Sequence, residues 1–281
     1  MSTVVTTDKH AVEAILGRMG ELAALPHVVF QVIDAANDPN APAAAIERAV
    51  TVDPGFAAKL LMEANSATFG EYARVSSIRE AVMRLGFTAV RNLALAVGTF
   101  DLFVGRTDAE SLRRRAWWKT SVDTALLAKC LAHRTKAGKP DDAYTAGLLH
   151  LVGKTLLDRC GGVPYTRVYE LAKHRNEPEF EAERHIYGAH YGLVGEAAGL
   201  HWGFPRSIAS AMNPVDPPIF VEGAEPEALR ALVAFAASIV SNVGEVPEWT
   251  LEILGVSPDD LPTLINEATQ VIAPARQRLA S

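Results

Sequence analysis

"AGLLHLVGKTLL", residues 146–157, is the stretch on which the fold turns. It reads as a buried helix with His150 set among apolar neighbours. The same helical pattern extends outward in both directions. No run of alternating β-branched residues is bounded by hairpin turns, so the expected fold class is all-α. Punctuation supports this. Asp53-Pro54 puts a side-chain cap before a first-turn proline. Ser77–Glu80 and Thr107–Glu110 fit capping boxes, and Ser257-Pro258 opens the last helix. Gly70, Gly86 and Gly161-Gly162 follow apolar segments as helix stops.

Helices are expected at 8–20, 26–37, 42–51, 54–67, 78–85, 88–104, 108–135, 141–159, 163–175, 178–187, 190–202, 205–212, 226–243 and 258–279. The four prolines of "NPVDPPIFVEGAEP" (213–226) make that stretch the longest expected loop. A polar, charged break over Gly105–Arg115 suggests two helical lobes, residues 1–106 and 107–281.

Composition narrows the function classes. The chain of 281 residues is 49% hydrophobic and 21% charged, enough for a substantial core. A net charge of −6 weighs against non-specific nucleic-acid binding. Cys130 and Cys160 are far apart, sit in apolar helical stretches and make no zinc-type spacing, so two reduced thiols are expected. Neither a signal peptide nor a membrane span is evident, and the cytoplasm is the expected location. There is no phosphate-cradling GxxxxGK[ST], no GxGxxG after a strand, no GxSxG elbow and no HExxH.

The first third of the chain carries a string of short motifs in a particular order. Leu25-Pro26 is followed by Asp38-Pro39 and the Asp53-Pro54 helix with "AAKLL". Asn65-Ser66-Ala67, Phe69-Gly70 and Val75–Ile78 lead on to "EAVMRLGFTAVRNLAL". With "AYTAGLLHLVGKTLL" and "ERHIYGAHYGLVGEAAGLHWGFP", this order resembles the HDOD family, the HD-related output domains of bacterial signalling proteins, over roughly 18–212. The resemblance implies an all-α fold related to the HD phosphohydrolases, and an output or interaction role without catalysis.

The resemblance also implies where an HD metal site would lie. Its first His would fall at Thr120, its His-Asp doublet at His150-Leu151 and its final Asp near Ala237. One of four ligands remains. A divalent metal needs carboxylates to balance its charge, and a lone imidazole does not hold it. The expectation is therefore no catalytic residue, no metal and no cofactor, with His150 a buried structural histidine or part of a vestigial pocket.

Other candidates are weaker. Arg84 and Arg91 could meet a phosphate, or pair with nearby acids. "RRRAWWK" (113–119) joins cations to Trp117 and Trp118, as a nucleic-acid site would, but also fits a solvated basic face with a tryptophan turned inward. His185 and His190, five apart, point about 140° apart on one helix. Asp141-Asp142 fits a helix N-cap, and Asn65-Ser66 can satisfy backbone groups at a helix end. The expected function is a non-catalytic signalling or regulatory protein whose partner is another signalling protein, with neither membrane nor nucleic acid. A divergent phosphohydrolase of nucleotides or cyclic dinucleotides is one alternative. A sensor holding a small ligand in the degenerate pocket is the other.

Overall fold

The computed structural model describes residues 2–19, 29, 31–32, 35, 43–51, 54–65, 75–217, 227–241, 246–267 and 270. Every element among them is helical. The helices are α1 (Ser2–Gly17), α2 (Ala43–Thr51), α3 (Pro54–Ala64), α4 (Ile78–Leu85), α5 (Phe87–Phe100), α6 (Asp108–Thr135) and α7 (Pro140–Leu149). They continue as α8 (Val152–Cys160), α9 (Thr166–Arg175), α10 (Glu179–Tyr187), α11 (Tyr191–His201), α12 (Arg206–Ala211), α13 (Ala228–Val240) and α14 (Glu248–Leu254). The expected cap at Asp53, the stop at Gly70, Ser66, most of 26–37 and residues 218–226 lie outside the described residues.

Most boundaries follow the punctuation. Glu80 N–H donates to Ser77 Oγ at 3.2 Å and Glu110 N–H to Thr107 Oγ1 at 3.2 Å, so both expected N-caps form. Gly86 takes φ +80°, where an L side chain would be strained, and ends α4. Three expectations are corrected. Asp141 and Asp142 occupy the first turn of α7, after Lys139 and Pro140, and make no cap bond; Asp141 pairs with Lys129 at 2.8 Å. The helix Glu248–Leu254, which follows Pro247, was not expected. The expected helix 141–159 is two helices, because Leu151 adopts φ −96°, ψ 4° and interrupts the α-helical path between α7 and α8.

By internal packing the chain forms two compact units, Leu25–Leu102, and Met1–Ala24 with Phe103–Ser281. The expected division at 106 differs from this at its start. Helix α1 belongs to the larger unit, where Val12 and Ile15 are buried and α1 packs on α8 and α11. In the smaller unit, Ile46, Val50, Phe56, Leu60, Val82 and Val90 form a core. Asn65 ties the end of α3 to the segment before α4. Its Nδ2 donates to Val75 O, and its Oδ1 accepts from Val75 N–H, each at 2.8 Å. The expected backbone role of Asn65 is thus met by a two-way bond.

In the larger unit, the long helix α6 packs on α7 and α13, and α8 packs on α11. Glycines set both close crossings. A Cβ at Gly147 would lie 2.8 Å from Ala125 Cα on α6. A Cβ at Gly153 would lie 1.9 Å from Tyr191 O on α11. No single described helix is long and apolar enough to cross a membrane.

Gly153→Ala should therefore force α8 from α11 and cost about 3 kcal/mol or more, at or above the upper end of overpacking effects. Gly17→Ala, whose Cβ meets nothing within 4 Å, should stay within about 0.5 kcal/mol of wild type. Urea unfolding of both variants checks this; equal stabilities would contradict the crossing.

Candidate functional site

Three separate stretches of the larger unit, spread over more than a hundred residues, meet at one cleft of about 840 Å³. Thr120 comes from α6, His150 and Leu151 from the break between α7 and α8, and Ala237 from α13. All four expected HD positions line it. The donor set does not fit a divalent metal. Leu151 and Ala237 offer no donor atom, and the Thr120 hydroxyl donates to Ala116 O at 3.1 Å along its own helix. Among the described residues, no group of three or more His, Cys, Asp or Glu is placed to hold a metal.

His150 is 1% exposed. Its Nδ1 lies 2.6 Å from Gly147 O, a geometry in which Nδ1–H donates and Nε2 keeps its lone pair. Burial pushes the imidazole pKa down to about 4, against the opposing pull of the Gly147 carbonyl; Lys154 adds to the depression. The ring is neutral at pH 7.

Lys154, Glu179 and Tyr191 join it in the cleft. Lys154 Nζ lies 2.5 Å from Glu179 Oε2 and stands over the rings of Tyr165 and Tyr191 at 5.8 Å and 5.2 Å. Behind them, Glu183 is fully buried and accepts hydrogen bonds from the Tyr165 hydroxyl and from Tyr191 N–H, the latter at 2.7 Å. Burial raises the Glu183 pKa, and the nearby Lys154 and these two bonds only partly offset it. Sequence reasoning missed Lys154, although it lies four residues after His150, the spacing of neighbours on one helix face. It had no means to pair Glu179 or Glu183 with their partners.

A second polar network holds the start of the proline-rich stretch. His190 is fully buried; Nδ1 accepts Gly192 N–H at 3.1 Å, so Nε2–H donates to Asp216 Oδ2 at 2.9 Å. Arg184 pairs with Asp216 at 2.9 Å, and Asn213 Nδ2 reaches both Asp216 and Glu196. Burial alone would raise the Asp216 pKa, but the His190 and Asn213 bonds and the Arg184 charge together hold it down to about 2. His185 and His201 are not part of this network; His185 sits 3.6 Å from Glu177.

The basic run is directed inward in part. Arg113 and Arg114 both bind Asp158, at 3.0 Å and 2.9 Å, and Arg114 and Asp158 are each 3% exposed. Trp117 packs edge-on against Tyr165 and lines the cleft, whereas Trp118 packs on Phe103. Arg84 and Arg91 belong to the smaller unit, where Arg84 Nη1 reaches Ala64 O at 3.4 Å. The cysteines are free; Cys160 is buried and Cys130 half-buried.

An all-helical scaffold thus gathers the four expected positions in one cleft, with a single imidazole among them. The family model for the HDOD domain matches residues 22–217, and the chain belongs to that family. Ala237 lies beyond the matched region. The fold is shared with an HDOD protein of unknown function from Geobacter sulfurreducens (TM-score 0.70, 23% identity, 95% of this chain and 99% of that one). It is shared too with a Marinobacter aquaeolei protein provisionally described as acting in signal transduction (TM-score 0.72, 20% identity, 100% and 66%). A Shewanella amazonensis protein provisionally described as a phosphohydrolase has the same fold (TM-score 0.68, 23% identity, 92% and 93%). An uncharacterized Treponema pallidum protein is 24% identical over 201 residues, which are 71% of this chain and 38% of the relative's length.

The neutral burial of His150 has a pH signature. Its folded pKa of about 4 lies below the unfolded value of 6.5, so the unfolded chain binds its proton first as the pH falls. The contribution is complete above pH 6.5 and is lost between there and pH 4, amounting to about 3 kcal/mol. Urea titrations from pH 4.5 to 7.5 on wild type and His150→Gln should show the wild type losing more stability in this window. A pH-independent difference between them would contradict the assignment. Asp158→Asn should cost about 3 kcal/mol in the same assay, because it removes the buried negative charge that two arginines share.

Proposed function

We propose that this HDOD protein is a non-catalytic signalling module, cytoplasmic, acting by binding another signalling protein. One observation carries the reading. The positions that would hold an HD metal do converge on one cleft, and they bring a threonine, one histidine, a leucine and an alanine. Phosphoester hydrolysis in HD enzymes relies on metal to polarise phosphate and acidify water. This donor set supplies no carboxylate for the metal's charge. The signalling label on the Marinobacter protein supports an output role. The phosphohydrolase label on the Shewanella protein favours the alternative, and the missing acids at Leu151 and Ala237 weigh against it.

Elemental mass spectrometry on protein purified without chelator or metal-affinity steps is the test, paired with bis-p-nitrophenyl phosphate hydrolysis in added Mn²⁺. Metal should be far below one equivalent and turnover should match the blank. One or two equivalents of manganese, iron or zinc, with turnover, would replace this reading by the phosphohydrolase one.

A further inference from the structure

We propose that the His150 cleft binds a small, uncharged, planar heteroaromatic molecule that donates an N–H to Nε2 of His150. The inference goes beyond the partner-binding reading above: it rests on the non-catalytic part of that reading and adds a small-ligand site.

Three observations converge. The first is an acceptor with nothing to accept. His150 lines the cleft, its Nδ1 is committed to Gly147 O, and its Nε2 makes no hydrogen bond among the described residues. His150 Nε2 is not among the fully enclosed unpartnered atoms, so on a residue that lines the cleft it can be met by whatever enters. Because the ring is neutral, Nε2 accepts and does not donate.

The second is charge balance. The cleft is lined by Lys154 and Lys173 against Glu177 and Glu179, and Lys154 is already held by Glu179 at 2.5 Å. A polyphosphate would find no net positive field here, and would have to displace a carboxylate to reach the lysine. A charged group carried down to a neutral, buried imidazole would also lose its hydration without a counter-charge.

The third is shape and lining. Trp117, Tyr169, Phe180 and Tyr191 reach the cleft from four different helices, α6, α9, α10 and α11. Aromatic walls favour a ring partner through stacked and edge-on contacts. The volume of about 840 Å³ falls in the range of small-molecule sites, and a bicyclic ring fills only part of it, leaving room for a substituent toward the mouth.

The test uses the full chain in EDTA at pH 7.5, with isothermal titration and thermal shift. The probes are indole, benzimidazole and hypoxanthine, each compared with cyclohexanol and inorganic pyrophosphate. At least one ring donor should bind and raise the melting temperature, and the two comparison compounds should not. 1-Methylindole and 1-methylbenzimidazole, which lack the N–H, should bind about tenfold more weakly than their parents. His150→Leu should cost a similar factor. Phe180→Ala, a half-buried wall residue, should weaken binding with His150 intact, so a poorly folded His150→Leu would not decide the matter. Affinity for indole, which does not titrate here, should stay level from pH 8 to 5.5, since this imidazole protonates only near 4; an ordinary histidine would lose its lone pair near 6.5. No binding by any ring donor, equal binding by the N-methyl compounds, or preferential binding of pyrophosphate would each overturn the proposal. None of these outcomes bears on metal content or turnover, so its failure is distinguishable from failure of the non-catalytic reading.

Discussion

Two places where helix backbones nearly touch hold the larger unit together around its cleft. Gly147 lets α7 lie against α6, and Gly153 lets α8 lie against the carbonyl of Tyr191 at the start of α11. His150 and Leu151 sit between them, at the point where the chain leaves one helix axis for another. Each crossing restrains the segment on one side, so the break does not drift. That restraint puts the histidine ring at the cleft, with Thr120 from one neighbour and the side chain of Tyr191 from the other. The smallest side chains in the segment thus decide where its one imidazole goes. A methyl group at either position would have to displace backbone, which moves only if a whole helix moves.

Around this frame the interior holds more polar groups than an oily core would need, and three carboxylates gather many of them. Arg113 and Arg114 share Asp158; His190, Arg184 and Asn213 share Asp216; Tyr165 and the Tyr191 amide share Glu183. Each carboxylate joins elements that are distant in sequence, so each pair also fixes a helix register. Ion pairs of this kind contribute little net stability but penalise any arrangement that separates them. The histidines show the same environment acting in two ways. His190 is satisfied on both nitrogens, and its role is to hold the segment around Asp216. His150 is bonded through Nδ1 and lines the cleft.

The cleft and the residues that line it belong together. Leu151 places no charge where the resemblance would put a carboxylate, and backbone crossings define the space between the helices. Aromatic side chains and a balanced set of lysines and glutamates then give that space a chemistry unlike that of a phosphate site. The described helices close around this space through backbone crossings at Gly147 and Gly153 rather than through a set of metal ligands.

Local patterns determined much of this protein. Capping at Ser77 and Thr107, the stop at Gly86 and the helical period are set within a few residues, so the all-α class and most helix boundaries were legible. The motif order pointed to the family, and Thr120, His150, Leu151 and Ala237 were legible as one set, though not as neighbours. The helix break at Leu151 was not legible, because an apolar run carries the same period whether it is one helix or two; the crossings at Gly147 and Gly153 decide it. The assignment of α1 to the larger unit, the pairing of Lys154 with Glu179, and the partners of Asp158 and Asp216 were likewise decided by tertiary structure. Each depends on side chains tens of residues apart being brought within a few ångströms, and spacing along the chain carries no record of that distance.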